Sequence, residues 1–281
     1  MAYKRILTIQ DISCVGQCSM TVALPILSAC GHETCILPTA VLSTHTGGFG
    51  KPAVRHLHDA IASMAEHWIS QNITFDAILV GYLGNIETIA IVKNLLPKLL
   101  APGGISIVDP AMADHGRLYT GFDENYCSAM TRLCADADII LPNITEAAMM
   151  AGLPCPQSTD TETVRTVLEL LGGREIVLTG VSDTPGLTGV AIRRNGQLQF
   201  ISHERLEKSF HGTGDMFAAC FTGALMQGLC IGEAAALAGE FTLRSIRATM
   251  AAPAHWYGVK FETQLPWLAA QLRKQESGGE R

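Results

Sequence analysis

Zinc and disulfide chemistry have no footing in this sequence. Among its nine cysteines and nine histidines there is no Cys-x-x-Cys pair and no His-Glu-x-x-His or comparable metal spacing, which argues against structural zinc and dithiol redox centres. The cysteines stand at 14, 18, 30, 35, 127, 134, 155, 220 and 230. An odd number, mostly within apolar stretches, is the pattern of buried free thiols, and it leads us to expect a reducing, cytoplasmic setting. Charge is also sparse. Only 16% of residues are charged, the formal net charge is −6, and no Lys/Arg-rich cluster interrupts that balance, so a broad nucleic-acid-binding surface is not expected. No apolar run reaches membrane-spanning length. The opening Met-Ala-Tyr-Lys-Arg-Ile-Leu-Thr-Ile is too short in its apolar part for a signal peptide and reads as a first strand. Without secretion, the sequons at Asn72 and Asn143 carry no weight.

What remains is a chain of 281 residues, 48% of them hydrophobic, enough to bury a sizeable core. Short apolar runs at 5–9, 34–37, 77–80, 105–108, 139–141 and 176–179 read as strands. Helical patterns lie at roughly 18–30, 55–70, 86–100, 123–134, 145–151, 161–171, 214–228 and 232–250. Such alternation predicts an α/β fold with a mainly parallel sheet and helices on both faces. The runs 187–194 and 197–202, separated by Asn195-Gly196, predict a late hairpin with a tight turn. No internal repeat or long linker divides the chain, so residues 1–281 are read as a single domain, with a polar tail at 275–281 expected to fray.

Nucleotide motifs are missing as well. The run Gly47-Gly48-Phe49-Gly50-Lys51 lacks P-loop spacing and enters Pro52. No Gly-x-Gly-x-x-Gly follows the first strand, and the protein-kinase set does not occur. Phosphate handling would therefore rest on 210–219, Phe-His-Gly-Thr-Gly-Asp-Met-Phe-Ala-Ala. Gly212 and Gly214 flank Thr213 and let the backbone turn sharply where a small-residue helix begins. Unpartnered N–H groups at a helix start favour an anion. Asp215 then puts a negative charge beside the anion. It is either a helix-start cap and dipole partner or a general base next to a bound phosphate.

In a parallel sheet, ligands gather at the carboxyl ends of strands, and polar clusters recur there. Asp11 and Ser13 follow the first strand, where they either bind a polar ligand or cap the next helix. Gly81-Tyr82-Leu83-Gly84 follows the third, and Tyr82 either stacks on a ring or packs. Asp109-Pro110 follows the fourth, and Thr179-Gly180 the sixth. Asn143 and Glu146, three residues apart after the fifth, either organise water around Mg²⁺ or form an ordinary helix cap. His45-Thr46-Gly47-Gly48-Phe49-Gly50 reads as a loop that closes over a ligand or as a surface hairpin tip.

In order, Asp11-Ile-Ser-Cys-Val-Gly16, Thr39-Ala-Val-Leu-Ser-Thr-His-Thr46, Gly81-Tyr-Leu-Gly84, Val108-Asp-Pro-Ala-Met112, Asp138-Ile-Ile-Leu-Pro-Asn-Ile-Thr-Glu146 and Gly212-Thr-Gly-Asp215 resemble the ribokinase-like superfamily. Within it, the Ser-x-His-Thr and Gly-Tyr-Leu-Gly segments resemble the pyridoxal/pyridoxamine kinase branch. The resemblance spans about residues 4–250. It implies a three-layer fold and ATP-dependent phosphorylation of a hydroxymethyl group on a pyridine ring. By the same resemblance Asp215 is the base, and Gly212, Thr213 and Gly214 form the anion hole. Asp109, Asn143 and Glu146 serve Mg²⁺ and the phosphates, with Asp109 and Glu146 toward the metal. Thr179 lies where ATP phosphates are contacted, and Asp11, Ser13, His45, Thr46 and Tyr82 surround the ring. A homodimer is also implied, and a K⁺ requirement is left open.

Two departures bear on the substrate. Many pyridoxal kinases carry a Ser-His-Val-type segment where this chain has Asp11-Ile12-Ser13, a pattern closer to hydroxymethylpyrimidine kinases, which are the alternative reading. The loop after His45 is glycine-rich where relatives often place tyrosine or glutamine. A catalytically silent B6- or nucleotide-binding protein has no need of Asp215, and a sugar kinase has little use for His45, Thr46 and Tyr82.

Overall fold

The computed structural model describes residues 3–172, 175–194, 197–208, 210–252 and 254–278. In chain order the elements are β1 (Arg5–Ser13), α1 (Met20–Ala29), β2 (Glu33–Leu42), β3 (Val54–His56), α2 (His58–Ser70), β4 (Phe75–Val80), α3 (Ile86–Leu99) and β5 (Leu100–Val108). There follow β6 (Ala113–Asp114), β7 (Arg117–Leu118), α4 (Glu124–Ala135), β8 (Ile139–Ile140), α5 (Ile144–Met150), α6 (Thr161–Leu170) and β9 (Glu175–Thr179). The chain ends with β10 (Leu187–Arg194), β11 (Gln197–Glu204), α7 (Thr213–Met226), α8 (Ile231–Met250), a single 3₁₀ turn at Phe261–Gln264 and α9 (Leu265–Gly278).

The nine-stranded sheet runs β11-β10-β9-β8-β5-β4-β1-β2-β3. Its centre, from β9 to β2, is parallel, and β3, β10 and β11 are antiparallel additions at the edges. The run Phe-Asp-Ala-Ile-Leu-Val of β4 is apolar on both faces because helices cover both. Side chains alternate between two cores accordingly. Leu7, Ile9, Ile78 and Val80 pack against α2, α3, α4 and α6, whereas Ile6, Ala77 and Leu79 pack against α1, α7, α8 and α9.

Local sequence explains the helix ends. Asn85 caps α3 by accepting the Thr88 N–H at 2.8 Å, and Val92, Leu95, Leu96 and Leu99 repeat on its buried face. Asp123 and Asp160 cap α4 and α6 in the same way. Helix α7 is different, with every residue from Met216 to Ala224 buried. Its small residues admit neighbours closely. A Cβ on Gly223 would lie 2.6 Å from Cys30 Sγ, which follows α1. All nine cysteines are free.

The expected strands and helices are present, and the structure adds β6, β7 and α9 and differs at two places. The segment expected to open a helix at 55 begins instead as β3, because the extended Val54-Arg55-His56 pairs with Ala40–Leu42, and the helix starts at His58. The loop carrying His45 is thereby the connection of an antiparallel edge hairpin. The tail expected to fray at 275–281 is helical through Gly278, and residues 279–281 lie outside the described residues. The hairpin of β10 and β11 has Arg194 opposite Gln197, and its turn residues Asn195 and Gly196 lie outside the described residues. Among the described residues, no helix is long and apolar enough to cross a membrane.

Phe221 is fully buried in the α1/α7/α8 layer, stacked on Phe217 with ring centroids 6.2 Å apart. Phe221→Ala is expected to lower the unfolding free energy by about 3–5 kcal/mol, read from urea unfolding. A loss below about 1 kcal/mol would mean that this layer repacks freely.

Candidate active site

Strand β1 lies between β2 and β4, where the chain's crossovers leave in opposite directions. A crevice therefore opens at its carboxyl end. Asp11 and Ser13 sit in it, both buried, with the Ser13 hydroxyl donating to Asp11 Oδ2 at 2.9 Å. Burial pushes the Asp11 carboxyl up, and the Ser19 and Ser13 hydroxyls pull it back down. Asp11 in turn faces Tyr82: burial, aided by the Asp11 charge, pushes that phenol up to about 12. Tyr82 stacks on Phe122, ring centroids 5.5 Å apart, and Phe122 stacks on Tyr126.

The turn between β1 and α1 has an unusual backbone. Gln17 and Ser19 have φ of 52° and 50°, uncommon for residues with a Cβ. The turn lies directly on the start of α7. Gly212 is the N-cap, with φ 83°, and a Cβ there would be 2.2 Å from the Gln17 carbonyl oxygen. Only glycine satisfies both the angle and the approach. The first helical bond of α7 runs from Met216 N–H to the Gly212 carbonyl, so the amides of 213–215 precede the helix ladder and point out of its positive end.

Asp215 stands in that first turn, half-buried. Desolvation pushes its carboxyl up to about 7, the charges of Asp109 and Asp11 add to the rise, and the Ser19 N–H opposes it. Asp109, at the end of β5, accepts the Ala111 N–H at 3.1 Å. Its Oδ2 lies 3.9 Å from where a Cβ on Gly214 would sit. Thus Asp11, Tyr82, Asp109, the Gly212-Thr213-Gly214 turn and Asp215 share one cleft.

Asn143 and Glu146 are placed otherwise than free water organisers would be. They form a capping box on α5: Asn143 Oδ1 accepts the Glu146 N–H at 3.0 Å, and Glu146 Oε2 accepts the Asn143 N–H at 2.9 Å. Glu146 Oε1 also accepts the amides of Met112 and Ala113. Both carboxylate oxygens are engaged, so Glu146 acts on its surroundings through its charge and through the Met112 and Ala113 backbone. Burial raises Glu146, and burial plus the Glu146 charge raises Asp109 further, since Asp109 has a single amide to hold it ionised.

Thr179 forms a bridge with Asn143 and donates its N–H to the Pro142 carbonyl, at the edge of the same cleft. His45 belongs to the β2–β3 loop, its ring 4.9 Å from that of His211, which precedes Gly212. Burial and His211 together lower the His45 value. Thr46 is exposed on that loop and joins the site only as the neighbour of His45. Sequence reasoning missed Gln17 and Ser19, whose turn geometry no motif announces. It also missed Tyr119, whose phenol is raised by burial and by Glu146, Asp109, Asp114 and Asp215.

Among the described residues, no three Asp, Glu, His or Cys side chains form a metal-binding group. Mg²⁺ does not require one, because it keeps waters and takes one or two carboxylates together with substrate phosphates. Asp109, an oxygen donor with a raised carboxyl, fits that role.

A parallel sheet covered on both faces, with an acid in the first turn of a glycine-capped helix and a second acid at a strand end opposite, is the arrangement expected of a phosphotransferase of the ribokinase-like class, and the relatives of this chain bear that class out. Residues 24–259 match the model of the phosphomethylpyrimidine kinase family. The chain belongs to that family. It is 26% identical over 255 residues to the pyridoxine/pyridoxal/pyridoxamine kinase of Bordetella bronchiseptica, covering 87% of this chain and 89% of that one. The pyridoxal kinase structure from Lactobacillus plantarum is 33% identical, with a TM-score of 0.90 over 96% of this chain and 98% of that one. A Bacteroides thetaiotaomicron structure described as a phosphomethylpyrimidine kinase, crystallised with pyridoxal, is 34% identical with a TM-score of 0.88 over 95% and 96%.

A carboxyl raised in the fold binds more protons in the native state than in the unfolded chain. Native stability therefore falls as pH climbs from about 4 toward 8. Asp109→Asn removes its share of that loss. Its stability advantage over wild type is expected to be near zero at pH 4 and to reach about 1–3 kcal/mol at pH 8, read from urea unfolding across that range. An advantage independent of pH would rule out the electrostatic account of Asp109.

Proposed function

We propose that the protein transfers the γ-phosphoryl group of ATP to the hydroxymethyl group of a vitamin B6 ring. The observation that carries this reading is Asp215, half-buried beside the Gly212-Thr213-Gly214 amides and sensing the charges of both Asp109 and Asp11. A base is thereby set between a phosphate cradle and an acid suited to a ring edge. Asp215 accepts the hydroxyl proton as the substrate oxygen bonds to the γ-phosphorus, the bond to the bridging oxygen breaks, and ADP leaves. A base titrating near 7 is matched to operation near neutrality.

The amides at the start of α7 stabilise negative charge on the phosphoryl oxygens without reorganising, one such donor typically contributing ~3 kcal/mol. Mg²⁺, held by Asp109, would neutralise phosphate charge when bound. Glu146 sets the 111–113 backbone beside it. Thr179 and Asn143 line the nucleotide side, and Asp11, Ser13, His45, Thr46 and Tyr82 the ring side. The relatives named for B6 vitamers support the substrate, and the nine free thiols support a cytoplasmic setting. The homodimer is carried by family resemblance alone.

One observation favours a second reading. Asp11, buried and tied to Ser13, offers a carboxylate to a ring that presents a donor, as aminopyrimidines do. Hydroxymethylpyrimidine is therefore the competing acceptor. The panel that decides is pyridoxal, pyridoxine, pyridoxamine, hydroxymethylpyrimidine and ribose, each with Mg-ATP, followed by ADP release and phosphorylated product. Turnover of the B6 vitamers is expected. Turnover of the pyrimidine alone transfers the protein to the second reading, and turnover of ribose alone discards both.

Because Asp215 must be ionised to act, kcat/KM is expected to rise with pH through about 7 instead of near 4. Asp215→Asn is expected to lower kcat by about 10²–10⁴-fold with ADP affinity retained in calorimetry. Near-normal turnover in that variant, or an acid limb below pH 5 in the wild type, removes Asp215 as the base.

A further inference from the structure

The Gly16-Gln17-Cys18-Ser19 turn is held from outside the site by the segment after α8. The Gln17 side-chain amide is engaged at both ends. Its Nε2 donates to Glu262 Oε1 at 2.7 Å, and its Oε1 faces His255 Nε2 at 3.1 Å. The polarity is consistent throughout. A carboxylate only accepts, so the amide nitrogen must face Glu262, and the amide oxygen is then left to accept from the imidazole N–H. Gly258, with φ 60°, brings its backbone under the same side chain, where a Cβ would lie 2.6 Å from Gln17 Cβ and 2.9 Å from the Gly16 carbonyl.

The backbone of this residue faces the chemistry. Its carbonyl oxygen lies against Gly212, at the N-cap of the helix that carries Asp215. On the other side of the turn, a Cβ on Gly16 would meet His45 Cβ at 2.4 Å, and the His45 N–H donates to the Val15 carbonyl at 2.7 Å. The loop bearing His45 also rests on the same C-terminal segment, where Phe49 packs 4.7 Å from Trp256 and 5.1 Å from Tyr257. A left-handed glutamine at such a junction persists because its surroundings over-determine it.

We propose that Gln17 is a positioning residue for phosphoryl transfer. By this inference His255 and Glu262 fix its side chain, so that its carbonyl sets the entry to α7 and with it the amide cradle and Asp215. The proposal rests on the functional reading above for its kinetic readout, and it also has a readout that needs no turnover.

Gln17→Met keeps the length of the side chain and removes both hydrogen bonds. It is expected to lower kcat about tenfold or more, since small misplacements of reacting groups are costly, with KM for ATP and vitamer changed less than about twofold. Glu262→Ala, at an exposed position, is expected to reproduce that loss. Glu262→Gln retains an oxygen acceptor and is expected to restore most of kcat. Combined with Gln17→Met, Glu262→Ala is expected to add nothing, as members of one network do. Hydrogen exchange at the Met216 amide, the first to bond within α7, is expected to quicken in Gln17→Met.

Unchanged kcat and unchanged exchange in both single variants would overturn the proposal. So would additive losses, or a fall in thermal stability with kcat per folded molecule intact. Absence of vitamer turnover in the wild type would instead overturn the functional reading, and the exchange experiment would still decide the role of Gln17. If Gln17→Met fails to fold, Glu262→Ala against Glu262→Gln decides it.

Discussion

Like charges gathered around the positive end of one helix are the constraint on which this structure turns. Asp215, Asp109 and Glu146 all lie where burial alone would neutralise them, and each raises or is raised by a neighbour. The amides that oppose this are deployed unequally. Glu146 has three backbone donors, and Asp109 has one. Asp215 has the Ser19 N–H and the α7 terminus. The cleft is thus electrostatically uncompensated in a graded way, most at Asp109 and least at Glu146. The fold accepts lower stability at neutral pH in return.

The sheet makes that concentration possible. Parallel strands present all their carboxyl ends to one side, so Asp11 from β1, Asp109 from β5 and Asn143 after β8 converge without any being near another in sequence. Helix α7 delivers its N-terminus to the same place from the opposite core. The two cores stay separate because consecutive strand residues face opposite ways, Ile6 and Leu7 or Leu79 and Val80 lying in different layers.

Most of this was legible in the sequence, for stated reasons. Apolar runs of strand length alternating with helical periodicities mark the layers, and Gly212-Thr213-Gly214-Asp215 marks the sharp entry to α7, where Gly212 takes φ 83°. Glu146 was legible only in part. Its spacing from Asn143 fits a cap or a metal site equally, and the three amides that occupy it come from residues more than thirty positions away as well as from its own helix. Gln17 was not legible at all, since its meaning lies in a positive φ and in partners some 240 residues further on. The same holds for β3, where strand pairing with β2 overrode a pattern that read as helix. Local chemistry is written in the sequence, whereas a contact made across the fold is written only in its two halves.

The close approach of Gly223 to Cys30 has a consequence for how the two helices are held together. Helices α1 and α7 are locked backbone to side chain with no slack between them. The turn that leads into α1 also meets the start of α7, through the Gln17 carbonyl against Gly212, so the two helices are tied at both ends. The hairpin loop between β2 and β3 is rooted differently, in an edge strand of three exposed residues.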